Sequence, residues 1–536
     1  MRSDSFPLQT KMTPRLRRWL GIMAYLVLFS YPLIQADRLY RDDIWRSFHG
    51  EMGWVSNGRP LASFVMACLN GGPRLADLAP LPLWLGLATL AAAILAWRER
   101  LKEFDPGTAW LAMLILVIQP FFLQNLSYHF DALPMALSLA GAILAAAWAL
   151  HPRPDCCWQA RFRWLCGGGA LLASLLLYQP AANVFFVLLA WHALLTIAQF
   201  GRPDWARHGT AFAIGVLALF IAKLVADWLV RGSYSVAHAA MVPWAQLPSH
   251  LVEQNWRFWR YAMRQLDTPI FWLFLGCAGV GTVLLIVETA RHRRWPALIP
   301  LLVVMACLPL GGLGFIGALA DPIWRPRIMI GFGALYAGSL FCVLRGLQQI
   351  HGLQRPAVPQ RVRERRRIRW PGGNAIWLSR GITLLALATP LTLSFAYGNA
   401  QRQQSLFADH VASTLIDDLT TQPEARPLVI DGTLPYTRTT RNAIAVHPIV
   451  GELIFPYLSG DYWWGYQDLY RRGLPATFAF TDDMGLRHRF EAHCLSLPPL
   501  SRRAWYTLYR FESHYVVALD GDCHRALTAT ELPVDD

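Results

Sequence analysis

The chain has 536 residues, 54% of them apolar and only 16% charged, with a formal net charge of +14. That balance excludes a disordered chain, which needs low hydrophobicity and dense charge. The apolar residues gather in blocks of the roughly 20 residues that cross a hydrocarbon core as a helix. The excess positive charge falls in short loops beside those blocks, where it sets orientation and meets anionic lipid, so it gives no ground for a nucleic-acid partner.

The first block, residues 19–36, follows a basic N-terminal stretch (Lys11, Arg15, Arg17, Arg18) and is closed by no small-x-small cleavage site. It reads as an uncleaved first helix with residues 1–18 in the cytosol. The short apolar run 61–69 reads as a helix lying at the interface. Further blocks cover 78–97, 108–124 and 131–150. The stretch 165–199 is interrupted by Tyr178-Gln179-Pro180 and predicts a two-span hairpin. Blocks at 210–230, 269–290, 297–320, 328–350 and 377–397 bring the total to about eleven spans. Between them, 244–266 has Trp256, Arg257, Trp259, Arg260 and Arg264 at helical spacing and predicts an amphipathic interfacial helix.

With the N-terminus inside, the arginine-rich loops 98–102, 153–163, 202–207, 291–294 and 345–380 all fall on the cytosolic face, as positive charge does. The densest run is Arg361, Arg363, Arg365, Arg366, Arg367 and Arg369. Segments 37–70, 125–130, 231–268 and 321–327 then face outward. The tail changes character: polar stretches and short β-like runs at 427–430 and 515–519 predict a small α/β domain. The expected organisation is a polytopic α-helical membrane domain over 19–398 and an extracytoplasmic α/β domain over 399–536. Outside the cytosol, Cys494 and Cys523 are candidates for a disulfide.

The outward segments hold the candidate chemistry. Asp42 and Asp43 stand just past the first helix, where carboxylates are expensive unless they face water, a counter-charge or a substrate. Either can be a general base toward an acceptor hydroxyl, the pair can hold a divalent cation, or both can be surface carboxylates neutralised by Arg41 and Arg46. Arg59, on a turn pinned by Gly58 and Pro60, presents a planar donor that suits phosphate. In the run 124–131, Asn125, His129 and Asp131 can bind sugar hydroxyls or pass protons, or Asp131 can cap the next helix. Tyr178 and Gln179 make a plain turn or a sugar contact. Arg325 and Arg327 flank Pro326 on the outer side, against the positive-inside tendency; a lipid phosphate or phospholipid headgroups would satisfy them. No Ser–His–Asp order, nucleotide-binding loop or metal-ligand spacing stands out.

Taken in order, Asp42-Asp43…Arg46…Gly58-Arg59-Pro60-Leu61, then 124–136 (Gln124-Asn125-Leu126-Ser127-Tyr128-His129-Phe130-Asp131-Ala132-Leu133-Pro134-Met135-Ala136), then Leu177-Tyr178-Gln179, the chain resembles the glucosyl transferase II family. These are bacterial Gtr-type, serotype-converting membrane enzymes that decorate O-antigen. The resemblance covers about residues 20–400 and leaves the tail without a role. It implies a GT-C-type fold in the inner membrane with its site facing the periplasm. It implies a polyprenyl-phosphate-sugar donor, with glucose as the sugar, and a lipid-linked polysaccharide acceptor. It also implies Asp42 or Asp43 as base and, less firmly, Arg59 in the site. The expected mechanism is direct displacement with inversion, with Arg46, Arg59, Arg325 and Arg327 stabilising the departing lipid phosphate. Its rivals are an O-antigen ligase or lipid A sugar transferase, and a non-enzymatic lipid-sugar flippase, which should carry ionisable residues midway through several spans.

The arginine bias predicts the side on which the tail lies. A reporter fused after Asp536 should be active only if it is of the kind that works outside the cytosol; strong activity from a cytosol-only reporter contradicts the orientation.

Overall fold

A computed structural model of the chain describes residues 12–104, 107–151, 157–231, 236–238, 240–266, 268–291, 294–350, 374–481, 483–519 and Cys523. The basic run 361–369, and parts of the expected cytosolic loops at 153 and 292–293, lie outside the described residues.

Helix α1 (Pro14–Ala36) starts where the Thr13 hydroxyl accepts the Leu16 N–H at 3.3 Å and Pro14 supplies a preset first turn. It is followed by α2 (Asp42–His49), α3 (Pro60–Asn70) and α4 (Leu81–Leu101). Among the described residues, eight helices are long and apolar enough to cross a membrane: Pro14–Ala36, Leu81–Leu101, Ala132–Ala149, Gln179–Phe200, Trp205–Leu229, Pro269–Arg291, Ile330–Gln349 and Ile376–Thr420.

The other three expected blocks are helical but depart from a full apolar span. Residues 108–124 break into Ala109–Leu114, Ile115–Ile118 and Phe122–Leu126. The break falls at Gln119-Pro120, because proline lacks an N–H and pushes the residue before it to extended backbone, here φ −62° and ψ 147° at Gln119. Trp295–Gly311 stops after 17 residues and continues as a 3-10 turn, Gly314–Ala318. Cys157–Leu177 has the length, but its first turns carry Arg161 and Arg163.

Ile330–Gln349 and Gln179–Phe200 are the most enclosed spans, whereas Trp205–Leu229 and Pro269–Arg291 keep most of their apolar surface turned outward. Small residues let the helices between them approach closely. A side chain at Gly86 would meet the Ala136 Cβ at 2.7 Å, and one at Gly141 would meet the Ala170 carbonyl at 3.2 Å. At one end of the bundle, Arg345 makes a two-pronged bond to Glu288 (2.7 and 2.9 Å) and donates to the Phe104 carbonyl. Lys223 and Asp227, the charges inside the block 210–230, pair with each other one turn apart.

The last membrane helix does not end near residue 398. It runs unbroken from Asn374 to Thr420, and its outer half (Ala408, Val411, Ala412, Leu415, Leu419) packs on a four-stranded sheet. The strands are β1 (Leu428–Asp431), β2 (Pro499–Arg502), β3 (Thr507–Phe511) and β4 (His514–Ala518), in the order β1-β4-β3-β2. β1 lies parallel to β4, and the other pairs are antiparallel. Helix Met484–His493 covers the opposite face through Leu486 and Phe490, so β1 is buried along its whole length. Cys494 and Cys523 are bonded beside that helix, with Cα atoms 5.6 Å apart.

Chain linkage through this pair has a direct readout. Intact protein isolated without reductant should resist thiol alkylation at residues 494 and 523 and gain both labels after reduction. Labelling of both positions before reduction contradicts the bond.

Candidate active site

The ends of the membrane helices nearest the sheet domain are joined by a network that starts where α1 stops. Asp37 takes left-handed backbone (φ 42°, ψ 53°) and turns the chain across the outer surface. Arg41 also has positive φ, 52°, a conformation that a side-chain-bearing residue keeps only when its surroundings enforce it. The turn starts α2 at Asp42 and sends the two neighbouring carboxylates to opposite sides.

Asp43 points inward and is fully buried. One oxygen accepts the N–H groups of Tyr40 (3.1 Å) and His129 (2.8 Å), and the other accepts that of Phe130 (3.3 Å). Burial pushes its pKa up to about 7, against the opposing charges of His129 and Arg46. A value near 7 suits a base, but geometry has priority over pKa in choosing one. Both Asp43 oxygens are held by backbone donors away from solvent. Asp42 is exposed, and its side chain forms no hydrogen bond or ion pair among the described residues. Its charge is felt by Arg46, Tyr128 and Arg327.

Asp131 is the centre of a second buried group. Its carboxylate accepts from Arg46 (2.6 Å), Arg59 (2.8 Å) and the Trp54 indole (2.9 Å). Burial alone would raise its pKa, but the two guanidinium groups outweigh burial and hold it below the usual carboxylate range. Arg46 also lies over the Trp54 ring, and Arg59 donates to the Leu177 carbonyl at 2.7 Å. Gly58, with φ 70° and the Ala226 Cβ only 3.1 Å from where its own would be, makes the turn that brings Arg59 inward. Gln179 donates to the Gly58 carbonyl at 3.1 Å.

Arg327 organises the third group. Its guanidinium donates to the Tyr128 hydroxyl (2.7 Å) and its N–H to the Gln124 side chain (2.8 Å). Its carbonyl accepts from Tyr178 (2.9 Å) and Asn125 (3.3 Å). Arg325 lies 3.4 Å from Glu452. His129 bonds Asp77 at 3.0 Å; burial disfavours its charge, but that bond and the charge of Asp43 outweigh burial and raise its pKa. A narrow cleft opens beside it between the outer ends of α1 and α4, apolar along Leu33, Ile34 and Leu83 and polar at Asp37, Tyr128 and His129. Among the described residues no three His, Cys, Asp or Glu side chains come together, and Asp43's bonds leave Asp42 without a second carboxylate for a cation.

All these candidates therefore meet, and several of them already hold partners within the protein. Arg46 and Arg59 are bound to Asp131, while Nη2 of Arg59 is buried without an acceptor. Asp131 occupies the N-cap position of helix Ala132–Ala149 but makes no side-chain cap bond, because its oxygens are taken by the arginines and Trp54. Tyr178 and Asn125 are tied to the Arg327 backbone, and Gln179 to Gly58.

The sequence reading also missed participants from the tail. Tyr40 donates to the Leu453 carbonyl (2.8 Å), Arg38 to that of Phe455 (2.6 Å), and the Arg41 N–H to the Tyr457 hydroxyl (2.9 Å). These contacts span more than 400 residues, and the only hint was the aromatic run near 455–464.

Fold and site define a multi-span membrane protein with a network of carboxylates and arginines at one end of its helices. The family model described as glucosyl transferase GtrII matches residues 31–337, more than half of the chain and the part that supplies most of this network. The chain belongs to the GtrII glucosyl transferase family. It is also similar to a protein of Salmonella phage P22 described as an uncharacterized 55.3 kDa protein in the gtrB 5′ region, with 27% identity over 452 residues, 82% of this chain and 86% of that protein. No solved structure matches the chain.

The two neighbouring aspartates should separate in a stability assay. Asp43→Asn turns an amide N–H2 toward backbone donors and should cost about 1–3 kcal/mol. Asp42→Asn removes no bond and should stay within about 0.5 kcal/mol of wild type. Thermal midpoints of purified protein in detergent give the comparison; equal loss in both variants contradicts the assignment.

Proposed function

We propose that the protein transfers a sugar, glucose by family, from a polyprenyl-phosphate donor to a lipid-linked surface polysaccharide, the O-antigen. The reaction takes place at the periplasmic face of a bacterial inner membrane. The membrane domain spans 19–398 after a cytosolic stretch at 1–18, and the α/β domain of 399–536 lies in the periplasm. Family membership and the outer network support this reading.

The observation that carries the mechanism is the free, exposed carboxylate of Asp42, felt by Arg327, in a surface where Asp43 and Asp131 are bonded on both oxygens. Asp42 takes the proton of the acceptor hydroxyl as that oxygen attacks the anomeric carbon. Arg327, held by Tyr128, stabilises negative charge on the departing lipid phosphate, with Arg325 beside it. One base and one leaving-group clamp make a single displacement with inversion. The cleft between α1 and α4 has the mixed character that suits a prenyl chain whose phosphate reaches the outer surface. A flippase is less favoured, since Lys223 and Asp227 neutralise each other on an outward-facing helix instead of lining a path.

Asp42→Asn should lower transfer by about two to four powers of ten, the usual worth of a positioned base, with protein level unchanged. Mass and linkage analysis of surface polysaccharide from cells carrying wild type or the variant reads it out. Wild-type decoration by Asp42→Asn contradicts the base assignment.

A further inference from the structure

Two buried arginines in the first outer loop have no place in the mechanism above. Arg41 is 4% exposed and Arg38 is 7% exposed. The Nε and Nη2 atoms of Arg41 are buried with no acceptor, and so is Nη1 of Arg38. Each guanidinium is covered on its face by an aromatic ring of the C-terminal domain: Arg41 lies 3.7 Å from the Phe455 centroid and Arg38 lies 4.1 Å from that of Tyr457. Arg325 approaches the Phe455 ring at 5.4 Å. Two guanidinium groups, those of Arg41 and Arg325, thus share the Phe455 ring. The acidic partner recorded among them is Glu452, 3.4 Å from Arg325.

An aromatic ring covers the flat face of a guanidinium and leaves its in-plane N–H edge for an acceptor. Buried cationic edges without acceptors are costly, and an anion relieves that cost. The positive φ of Arg41 is a further sign, since enforced backbone strain gathers at ligand sites. Planar N–H forks are matched by phosphate oxygens.

We infer that Arg38 and Arg41, clamped by Phe455 and Tyr457, form a binding site for the phosphate of a prenyl-linked phosphate, so that the C-terminal domain completes the substrate site. The choice of a prenyl-linked phosphate rests on the sugar-transfer reading. The unmet N–H groups do not. The phosphate belongs either to the sugar donor or to the lipid of the acceptor. Phe455 is half-buried, lies outside any helix or strand and covers the face of Arg41, so the in-plane N–H edge is the part left for the ligand.

The test uses the full-length protein in detergent and equilibrium binding of farnesyl phosphate and farnesyl diphosphate, with phosphatidylglycerol nanodiscs as a third arm. Arg41→Gln should weaken at least one prenyl probe by about tenfold or more, the worth of a charge-assisted contact. Arg41→Lys should recover only part, because an ammonium lacks the fork. A loss confined to the monophosphate assigns the site to the donor, and one confined to the diphosphate assigns it to the acceptor lipid. Should Arg41→Gln fail to fold, Arg38→Gln and Phe455→Ala carry the same expectation. Unchanged affinity for both prenyl probes overturns the inference, as does a loss seen only with phosphatidylglycerol. The readout is binding, not turnover. Active Asp42→Asn protein would therefore sink the base assignment and leave this site standing, and unchanged binding would do the reverse.

Discussion

The network at the ends of the membrane helices depends on one buried carboxylate. Asp131 is enclosed with Arg46, Arg59 and the Trp54 indole, all within 2.9 Å. Two cations on one anion leave a net positive charge out of water, which is stable only while every partner is in place; loss of one partner from such a group costs about 3–5 kcal/mol. The group fastens the first outer loop to the start of helix Ala132–Ala149, and through Arg59 to the end of helix Cys157–Leu177. Asp43 repeats the device with backbone donors on both sides of the same seam.

These ties have a consequence for chemistry. The first loop carries two adjacent acids, and α2 can turn only one of them inward. Because Asp43 is the inward one, Asp42 is displayed on a fixed frame, where its charge is felt by Arg327. Arg327 in turn is held by Tyr128 and Gln124. A carboxylate and a cation held on packed elements, not on free loops, suit the positioning that the proposed transfer requires. The C-terminal domain adds to this frame through Leu453, Phe455 and Tyr457, reached by a helix that runs without interruption from the membrane into the sheet.

Much of this was legible in the residues. Among the described residues every apolar block is helical over most of its length, and Cys494 and Cys523 are joined. The motifs at 42–61, 124–136 and 177–179 lie in the part matched by the family model. The break at Gln119-Pro120 could have been read too, since a proline inside a helical block removes a bond and bends its neighbour. What was not legible is which charges would pair. Arg46 and Arg59 look like free phosphate donors until Asp131, 85 and 72 positions away, is brought between them. The same holds for Phe455 against Arg41: a contact between the two ends of a chain leaves no periodicity to detect.

The central claim is that Asp42, and not its neighbour, accepts the proton. Chemical rescue measures this most directly: transfer by purified Asp42→Ala and Asp43→Ala proteins, followed against added formate. A small carboxylate can enter an exposed site and take over a missing base, but it cannot restore a buried structural bond. The account predicts a rate that rises with formate in Asp42→Ala and none in Asp43→Ala. Rescue of Asp43→Ala alone, or no dependence on formate in Asp42→Ala, would contradict it.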